Sequence, residues 1–146
     1  MAENAELIRG LMEAFNRRDF DYIRERTGPD SVLTDVGSGE TWTGPDEGHR
    51  YNTMWADAFP DGKITIDRII EAGDTVVLEY TGKGTHTGDL VTSRGTIPAT
   101  GKKVTLHFCD LFEVKDGKVH SQRTYGDSGA LMAQLGLTTA QPTAAQ

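Results

Sequence analysis

The last strand-like run of the chain combines polar residues that could carry out acid/base chemistry. It extends from Val119 to Tyr125 and is followed by Gly126 and Asp127. Because a strand sends alternate side chains to the same face, Arg123, Tyr125 and Asp127 are predicted to share one wall. An acid, a phenol and a guanidinium on one wall would suit proton transfer at a carbonyl group. Asp127 is therefore the first candidate for an acid/base residue.

Asp127 also has a purely structural interpretation. It precedes residues 129–135, which are predicted to form a short terminal helix, and Asp is favoured at the position that caps a helix N-terminus. A carboxylate that is bound by backbone N–H groups has a lowered pKa and makes a poor base, so the two roles conflict. The residues alone favour the cap and leave the catalytic role open.

Two histidines lie in strand-like runs that could line a cavity. His107 follows apolar residues and could hold or polarise a substrate oxygen, as histidine side chains often do, although a single strand histidine is more often structural. His86 ends the preceding strand and could face either the pocket or the surface. The four histidines are scattered and include no closely spaced ligand pair, so no metal site is predicted.

Large aromatic residues in the first half of the chain could form either a core or a surface on which a flat ligand stacks. Tyr51 and Trp55 are four residues apart on a predicted helix and therefore lie on the same face of it. Trp42 lies in the connection before that helix. Stacking geometries add up to about 1.5 kcal/mol beyond area burial, which favours aromatic ligands if these residues line a pocket.

The bulk properties predict one domain that binds no nucleic acid. The chain has 146 residues and a net charge of −7, and no block of Lys and Arg offsets the repulsion of phosphate backbones. Neither a long apolar stretch nor a secretory signal is found, so a cytoplasmic location is expected. Residues 1–137 are predicted to form the domain. Residues 138–146 have little to bury and are predicted to be a disordered tail.

The order of the predicted elements indicates the fold class. Helical periodicity covers residues 5–16, 20–26, 45–58 and 129–135, and strand patterns cover residues 31–36, 63–71, 75–86, 103–114 and 119–125. Helices first and antiparallel strands second are typical of an α+β fold, in which a curved sheet is covered by helices on one face. Such a curved sheet and its helices enclose an internal cavity, a common kind of ligand site.

Several short motifs, taken in their order, carry a family resemblance. They are Ala58-Phe59-Pro60-Asp61, Ala72-Gly73-Asp74-Thr75-Val76-Val77, Gly84-Thr85-His86-Thr87-Gly88, Ile97-Pro98-Ala99-Thr100-Gly101-Lys102, Asp116-Gly117-Lys118-Val119, Asp127 and Gln134-Leu135-Gly136. From Leu7 to Leu137 the chain resembles the SnoaL-like polyketide cyclase branch of the nuclear transport factor 2-like (NTF2-like) and ketosteroid isomerase superfamily.

The resemblance implies a fold, a reaction and a site. The fold would be the NTF2-like cone, with a curved antiparallel or mixed sheet wrapped around N-terminal helices. The reaction would be ring closure by intramolecular aldol condensation on a hydrophobic polyketide-like carbonyl compound, without metal or cofactor. The resemblance also implies that Asp127 is the acid/base residue, that Phe15 lines the pocket, and that the protein is a homodimer or higher homo-oligomer. Arg123 replaces a Trp that many relatives have, which favours an anionic or carbonyl-rich ligand.

The leading hypothesis is therefore a small cofactor-independent enzyme. Asp127 would be the acid/base residue, and His107, Arg123 and Tyr125 would hold or polarise substrate oxygens. The cavity would be shaped by Phe15, Trp42, Tyr51, Trp55 and His86. Isomerase or hydrolase chemistry in the same pocket is a second interpretation.

A non-catalytic ligand-binding domain is the main alternative. It predicts that Asp127 only caps a helix and that side chains fill the cavity. The catalytic hypothesis predicts an open cavity with Asp127 in its wall.

Overall fold

Four helices and eight strands make up the computed structural model, which describes residues 3–137. The helices are α1 (Glu3–Asn16), α2 (Phe20–Glu25), α3 (Gly44–Ala58) and α4 (Ser128–Gln134). The strands are β1 (Thr27–Asp35), β2 (Thr41–Thr43), β3 (Lys63–Ala72), β4 (Thr75–Thr85), β5 (Leu90–Thr92), β6 (Gly95–Ile97), β7 (Lys103–Lys115) and β8 (Lys118–Tyr125). None of these helices is long and apolar enough to cross a membrane.

Six strands form one mixed sheet in the order β2-β1-β8-β7-β4-β3, and β5 and β6 form a separate hairpin. The pairing of β1 with β8 is parallel, and the other pairs of the large sheet are antiparallel. The predicted α+β class with a curved mixed sheet is therefore confirmed. The predicted disordered tail lies outside the described residues.

Two short regions differ from the sequence prediction. The connection at residues 88–101 contains the hairpin of β5 and β6, and Leu90 at its start is buried against α3. Strand β1 begins at Thr27, four residues before the predicted start, and includes Gly28 and Pro29. A turn signal such as Gly-Pro was taken as a break, but an edge region of a sheet tolerates both residues.

The core lies on the inner face of the sheet, against α1. Strand alternation brings Val76, Leu78 and Tyr80 of β4 and Phe112 and Val114 of β7 to that face, where all are buried. Ile8 and Leu11 of α1 pack on them at helical spacing. The other end of the sheet is closed by a second cluster around Phe59, Val104 and Leu131.

A β-bulge near the start of β8 decides which of its side chains face inward. Val114 pairs with Val119 and Glu113 pairs with Ser121, so His120 is an extra residue on β8. An extra residue reverses the alternation of the following side chains. After the bulge, Gln122 and Thr124 face the interior, although the buried Val119 has the opposite parity.

The end of α1 is fixed to the free edge of β3 by a side-chain amide. Asn16 Nδ2 donates to the Ile64 carbonyl and Asn16 Oδ1 accepts from the Ile64 N–H, both at 2.8 Å. Arg18, which has a positive φ of 63°, donates to the carbonyls of Phe15, Phe59, Pro60 and Gly62. These bonds hold α1 and the turn before β3 in one arrangement, and thereby place the cavity residues of α1.

Replacing Asn16 by Asp should destabilise the fold. The substitution keeps the size of the side chain but sets a carboxylate oxygen against the Ile64 carbonyl, so the free energy of unfolding should fall by about 2 kcal/mol in urea titrations. Asn4→Asp is the matched control, because Asn4 makes one exposed bond to the Gly73 carbonyl. Equal stability of N16D and N4D would contradict a structural role for the Asn16 pair.

Candidate active site

A cavity of about 110 Å³ lies between the inner face of the sheet and the helices α1 and α3. Its wall is mostly apolar and is formed by residues of α1, α3, β3, β4, β7 and β8. They include Leu11, Met12, Phe15, Tyr51, Asn52, Trp55, Phe59, Ile64, Tyr80, Gly82, Gly84, Leu106, Phe108, Phe112 and Gln122. The cavity is open, as the catalytic hypothesis predicts, and side chains do not fill it.

Aromatic side chains dominate one side of this wall. The rings of Tyr80 and Phe108 stack at 5.1 Å between centroids, and Trp55 meets Phe108 edge-on at 6.1 Å. Trp55 also stacks on Phe59 at 6.0 Å. Offset and edge-to-face pairs of this kind are favourable arrangements of aromatic quadrupoles, so they hold the wall in a defined shape.

The polar end of the cavity surrounds a buried carboxylate. Asp110 of β7 has no exposed surface, and its Oδ2 accepts hydrogen bonds from Tyr80 Oη and Gln122 Nε2, each at 3.0 Å. Tyr80 and Gln122 themselves line the cavity, and Tyr51 lines it beside them. Asp110 thus lies directly behind the wall and is connected to the cavity through the groups that bind it.

Burial raises the pKa of Asp110 to about 6, against the opposing effect of the Thr124, Gln122 and Tyr80 side chains. Burial also raises the pKa of Tyr51, and the Asp110 charge adds to this effect. The pKa of Tyr80 is raised well above its usual value for the same two reasons, burial being the larger. Both phenols therefore stay protonated and serve as hydrogen-bond donors.

Near neutral pH, this arrangement can exchange a proton. A carboxyl group with a pKa close to the working pH can act as an acid and as a base, and a phenol can stabilise a developing oxyanion.

Within residues 3–137, no group of three or more His, Cys, Asp or Glu residues is placed to hold a metal ion.

Of the predicted site residues, Phe15, Tyr51 and Trp55 lie in the cavity wall. Trp42 and His86, which were also predicted to line the cavity, lie behind it. Trp42 packs edge-on against Tyr51 at 4.7 Å and borders a smaller pocket of about 30 Å³. His86 is fully buried at 5.3 Å from the Phe59 ring, and its Nδ1 accepts from the Thr100 N–H.

Asp127 is not in the cavity wall, which corrects the leading sequence prediction. It is exposed at the N-terminus of α4, where its carboxylate accepts from the Ala130 N–H at 2.9 Å. The structure therefore shows the capping geometry that the residues alone favoured.

Arg123, Tyr125 and His107 lie on the outer face of the sheet and not in the pocket. Arg123 Nη2 donates to Tyr125 Oη at 3.2 Å, and both side chains are exposed. His107 is also exposed, with Nδ1 at 3.1 Å from Thr81 Oγ1. The bulge at His120 explains the positions of Arg123 and Tyr125. The prediction assumed that both side chains face the same side as Val119, and the extra residue turns them to the other side.

Tyr80, Asp110 and Gln122 were not among the site residues predicted from the sequence. The signal for Asp110 was present: it shares its parity with the apolar inward residues of β7, from Val104 to Val114. A carboxylate in the middle of an apolar strand face must find hydrogen-bond donors, and its neighbours on β4 and β8 were the positions to inspect.

Comparison with known proteins identifies the family. The model of the SnoaL-like polyketide cyclases matches residues 5–135. The chain belongs to the SnoaL-like polyketide cyclase family. No curated protein matches the chain.

Solved structures are similar to this SnoaL-like protein over nearly its whole length. AclR from Streptomyces galilaeus, a proposed hydroxylase, shares 25% identity, with 99% of this chain and 92% of AclR covered and a TM-score of 0.82. IdmH from Streptomyces antibioticus, a proposed polyketide cyclase, shares 28% identity, with 91% and 98% covered and a TM-score of 0.74.

A protein from Catenulispora acidiphila with a ketosteroid isomerase-like fold shares 18% identity, with 91% and 94% covered and a TM-score of 0.75, and it supports the fold. The SnoaL-like chain thus has the NTF2-like fold. Its family indicates enzymatic activity of the cyclase or isomerase type.

The Asp110 carboxyl should make the stability of this SnoaL-like protein depend on pH. Its folded pKa of about 6 lies above the ordinary value of 3.8, so ionisation disfavours the folded state. The contribution of Asp110 to the free energy of unfolding should fall by about 3 kcal/mol as pH rises from about 4 to about 6, and then stay constant.

Urea unfolding of the wild type and of Asp110→Asn between pH 4 and 7.5 measures this contribution, since the difference cancels the other carboxylates. A difference that does not change with pH would contradict the raised pKa.

Proposed function

We propose that this protein is a cofactor-independent acid/base enzyme that forms and uses an enolate of a hydrophobic carbonyl compound, in an intramolecular aldol-type ring closure. The proposal replaces Asp127 with Asp110 as the residue that accepts and returns the proton. The observation that carries it is a buried carboxyl with a pKa near neutrality, connected by Tyr80 to a mostly apolar cavity.

The first step would be removal of a proton from the carbon beside the substrate carbonyl. The C–H bond breaks as the Tyr80 oxygen takes this proton, and the Tyr80 hydroxyl proton passes to Asp110 Oδ2 along a hydrogen bond with 3.0 Å between the two oxygens. Tyr51, protonated and in the same wall, would donate a hydrogen bond to the enolate oxygen. Gln122 would hold the carboxylate in position through the second hydrogen bond.

The second step would return the proton. The enolate carbon attacks another carbonyl of the same molecule, so a carbon–carbon bond forms and an alkoxide is produced. The proton on Asp110 then passes through Tyr80 to the alkoxide, which restores the starting state of both residues. A pKa of about 6 suits both directions, because a carboxyl near neutrality is neither too weak a base nor too weak an acid.

The apolar wall supports a hydrophobic substrate. A mostly non-polar cavity with a few converging polar groups is the usual form of a small-molecule site. The stacked Tyr80 and Phe108 rings and the adjacent Trp55 offer aromatic faces to such a substrate. Exclusion of water would also strengthen the hydrogen bonds to the enolate, because the local dielectric constant is low.

Hydrolase chemistry receives less support from this geometry. A nucleophilic water would need more than one carboxylate to hold it, and the cavity wall, as far as the structure describes it, contains none. Asp35 influences the pKa of Asp110, but its own Oδ1 accepts from the Gly37 N–H at 3.1 Å.

The non-catalytic alternative keeps one argument, which is that Asp127 only caps a helix. The catalytic role is favoured because the two groups that bind the buried Asp110 carboxyl, Tyr80 and Gln122, both line the cavity.

Exchange of the hydrogens beside the carbonyl of cyclohexanone in D₂O, followed by NMR, tests the proposed chemistry without knowledge of the natural substrate. The wild type should accelerate this exchange. Asp110→Asn should reduce the acceleration by about 10²-fold or more, because Asn cannot accept the proton. Tyr80→Phe should have a similar effect, because it removes the connecting hydroxyl.

Asp127→Asn is the matched control, since Asn also caps helices well and Asp127 is exposed and does not line the cavity. Its exchange rate should equal that of the wild type. If D127N loses exchange while D110N keeps it, the assignment to Asp110 is wrong and the sequence-based assignment is restored. If the wild type does not accelerate exchange, the non-catalytic alternative is supported.

A further inference from the structure

Inward residues of β7, β8 and β1 form a polar row at one level of the sheet. Asp110 pairs with Thr124, and Thr124 pairs with Asp35 on its other side. Thr124 is 3% exposed, and Asp110 has no exposed surface. Directly opposed residues of antiparallel strands have their Cβ atoms about 5 Å apart, so the side chains of Asp110 and Thr124 are close neighbours.

Two polar atoms of this row are buried without a hydrogen-bond partner among the described residues. They are Oδ1 of Asp110 and Oγ1 of Thr124. An unpaired buried polar group is costly, and each one in a folded protein requires an explanation. The other oxygen of the same carboxyl, Oδ2, is bound by Tyr80 and Gln122. Asp110 therefore has one oxygen that is occupied and one that can take a further donor.

The Thr124 hydroxyl also acts on Tyr51, the phenol that lines the cavity from α3. Burial and the Asp110 charge raise the pKa of Tyr51, and hydrogen bonding with Trp55 and Thr124 opposes this rise. Burial likewise raises the pKa of Asp110, and hydrogen bonding with Thr124 is the largest opposing effect. Both observations fit a hydroxyl that lies between two acceptors and is bound in regular geometry to neither.

The other titratable groups that face Asp110 have partners of their own. Tyr80 on β4 is also close to Thr124, but its hydroxyl already donates to Asp110 Oδ2. Asp35 on β1 acts on Asp110 through its charge, and its Oδ1 accepts from a backbone N–H of the turn after β1. Tyr51 on α3 is thus the group with which Asp110 shares the Thr124 hydroxyl.

A threonine hydroxyl has one hydrogen, so it serves one of two acceptors at a time. Its oxygen is fixed by the stiff χ1 angle of a β-branched residue, whereas its hydrogen rotates about the C–O bond. An ionised carboxylate is the stronger acceptor, because hydrogen bonds to charged groups are strong. When the carboxyl has taken a proton, its charge is lost. A phenol oxygen that donates to an enolate is then the better acceptor, because linked hydrogen bonds polarise one another.

We propose that Thr124 is a positioning residue that couples Asp110 to Tyr51: its hydroxyl donates to Asp110 Oδ1 while the carboxyl is ionised, and turns to Tyr51 Oη when Asp110 has taken the proton. The Tyr51 hydrogen is then directed to the enolate oxygen as the enolate forms. No covalent bond forms or breaks at Thr124. The action on an enolate rests on the proposed function, whereas the shared hydroxyl rests on the pairing and burial of Thr124.

Carbon-13 NMR of the Asp110 carboxyl tests the first half of the proposal without a substrate. Thr124→Val keeps the shape of the side chain but removes the donor to the ionised carboxyl. The pKa of Asp110 should therefore rise from about 6 in the wild type to about 7 in T124V, and Thr124→Ser should restore it. Thr124→Ala takes the place of T124V if T124V does not fold. The same Asp110 titration in the wild type and T124V would overturn the proposal.

The ring carbon that carries the Tyr51 hydroxyl tests the second half. The chain has four tyrosines, and Tyr51→Phe identifies the Tyr51 signal in protein labelled with carbon-13 at this position. In the wild type and T124S the signal should move as Asp110 titrates, because Thr124 changes its acceptor. In T124V only the direct effect of the Asp110 charge remains, so the movement should be smaller by roughly half. Equal movement in the wild type and T124V would contradict the coupling.

Thr81→Val is the matched control for loss of a buried hydroxyl from the same sheet. Thr81 is 9% exposed and lies on the outer face of β4, where its hydroxyl donates to Asp67 Oδ2 at 2.6 Å. Both titrations should therefore be unchanged in T81V. Changes in T81V as large as those in T124V would reveal a general effect on the sheet and overturn the proposal.

Exchange of the cyclohexanone hydrogens in D₂O measures the consequence for catalysis. T124V should lower the plateau rate by roughly 10-fold and move the low-pH limb of the profile to higher pH, because exchange needs the ionised form of Asp110. In the Tyr51→Phe background T124V should lower the plateau rate no further, because the two residues act as a unit. An equal T124V effect in both backgrounds would contradict action through Tyr51.

The NMR and exchange results together separate this inference from the proposed function. Both NMR effects without exchange by the wild type would support the shared hydroxyl and contradict the acid/base proposal. Catalysed exchange with neither NMR effect would support the acid/base proposal and contradict the role of Thr124.

Discussion

Burial of the Asp110 carboxylate is the constraint on which the site and much of the sheet depend. Placing a charged group away from water costs several kcal/mol unless hydrogen bonds compensate for the lost hydration. The compensation comes from Tyr80 on one neighbouring strand and Gln122 on the other, each at 3.0 Å. Three strands are thus tied together at one point, and a slip of one residue in either pairing would turn a donor away from the carboxylate.

The position of Asp110 in the sheet separates two regions of the inner face, a packed core and the cavity. On one side of it, Val76, Leu78 and Phe112 pack against α1 and supply apolar burial. On the other side, the inward positions of β4 have no side chains and the cavity begins. The molecule therefore obtains its stability from one part of the sheet and gives up packing in the other, which is the usual relation between a core and a binding site.

Much of the fold could be predicted from the sequence because it depends on local patterns. The apolar spacing in α1 and α3 predicted those helices, and the same helical spacing placed Tyr51 and Trp55 together in what became the cavity wall. The strands β3, β4, β7 and β8 were predicted from alternation and turns within a few residues of their bounds. The parallel pairing of β1 with β8 could not be predicted, since it joins segments that are about ninety residues apart.

A single irregularity explains why two of the predicted site residues lie outside the pocket. The assignment of Arg123 and Tyr125 to the pocket assumed regular alternation from Val119, and the extra residue His120 reversed it. No feature of the sequence near His120 distinguishes a bulge from a regular strand, because the bulge is decided by the partner β7 and the hairpin geometry. The importance of Asp110 could have been predicted from the sequence. A single acidic residue among the apolar inward positions of a strand must be buried, and a buried carboxylate needs hydrogen-bond donors beside it.

The amide of Asn16 has a consequence for how copies of this chain can meet. By using both the N–H and the carbonyl of Ile64, it occupies pairing groups at the start of β3 that an outer strand would otherwise offer to another polypeptide, and α1 packs against the same strand. At the opposite border, β2 has three residues, too few to support extensive pairing. Growth of the sheet from molecule to molecule is thus hindered at the start of β3 and poorly supported at β2.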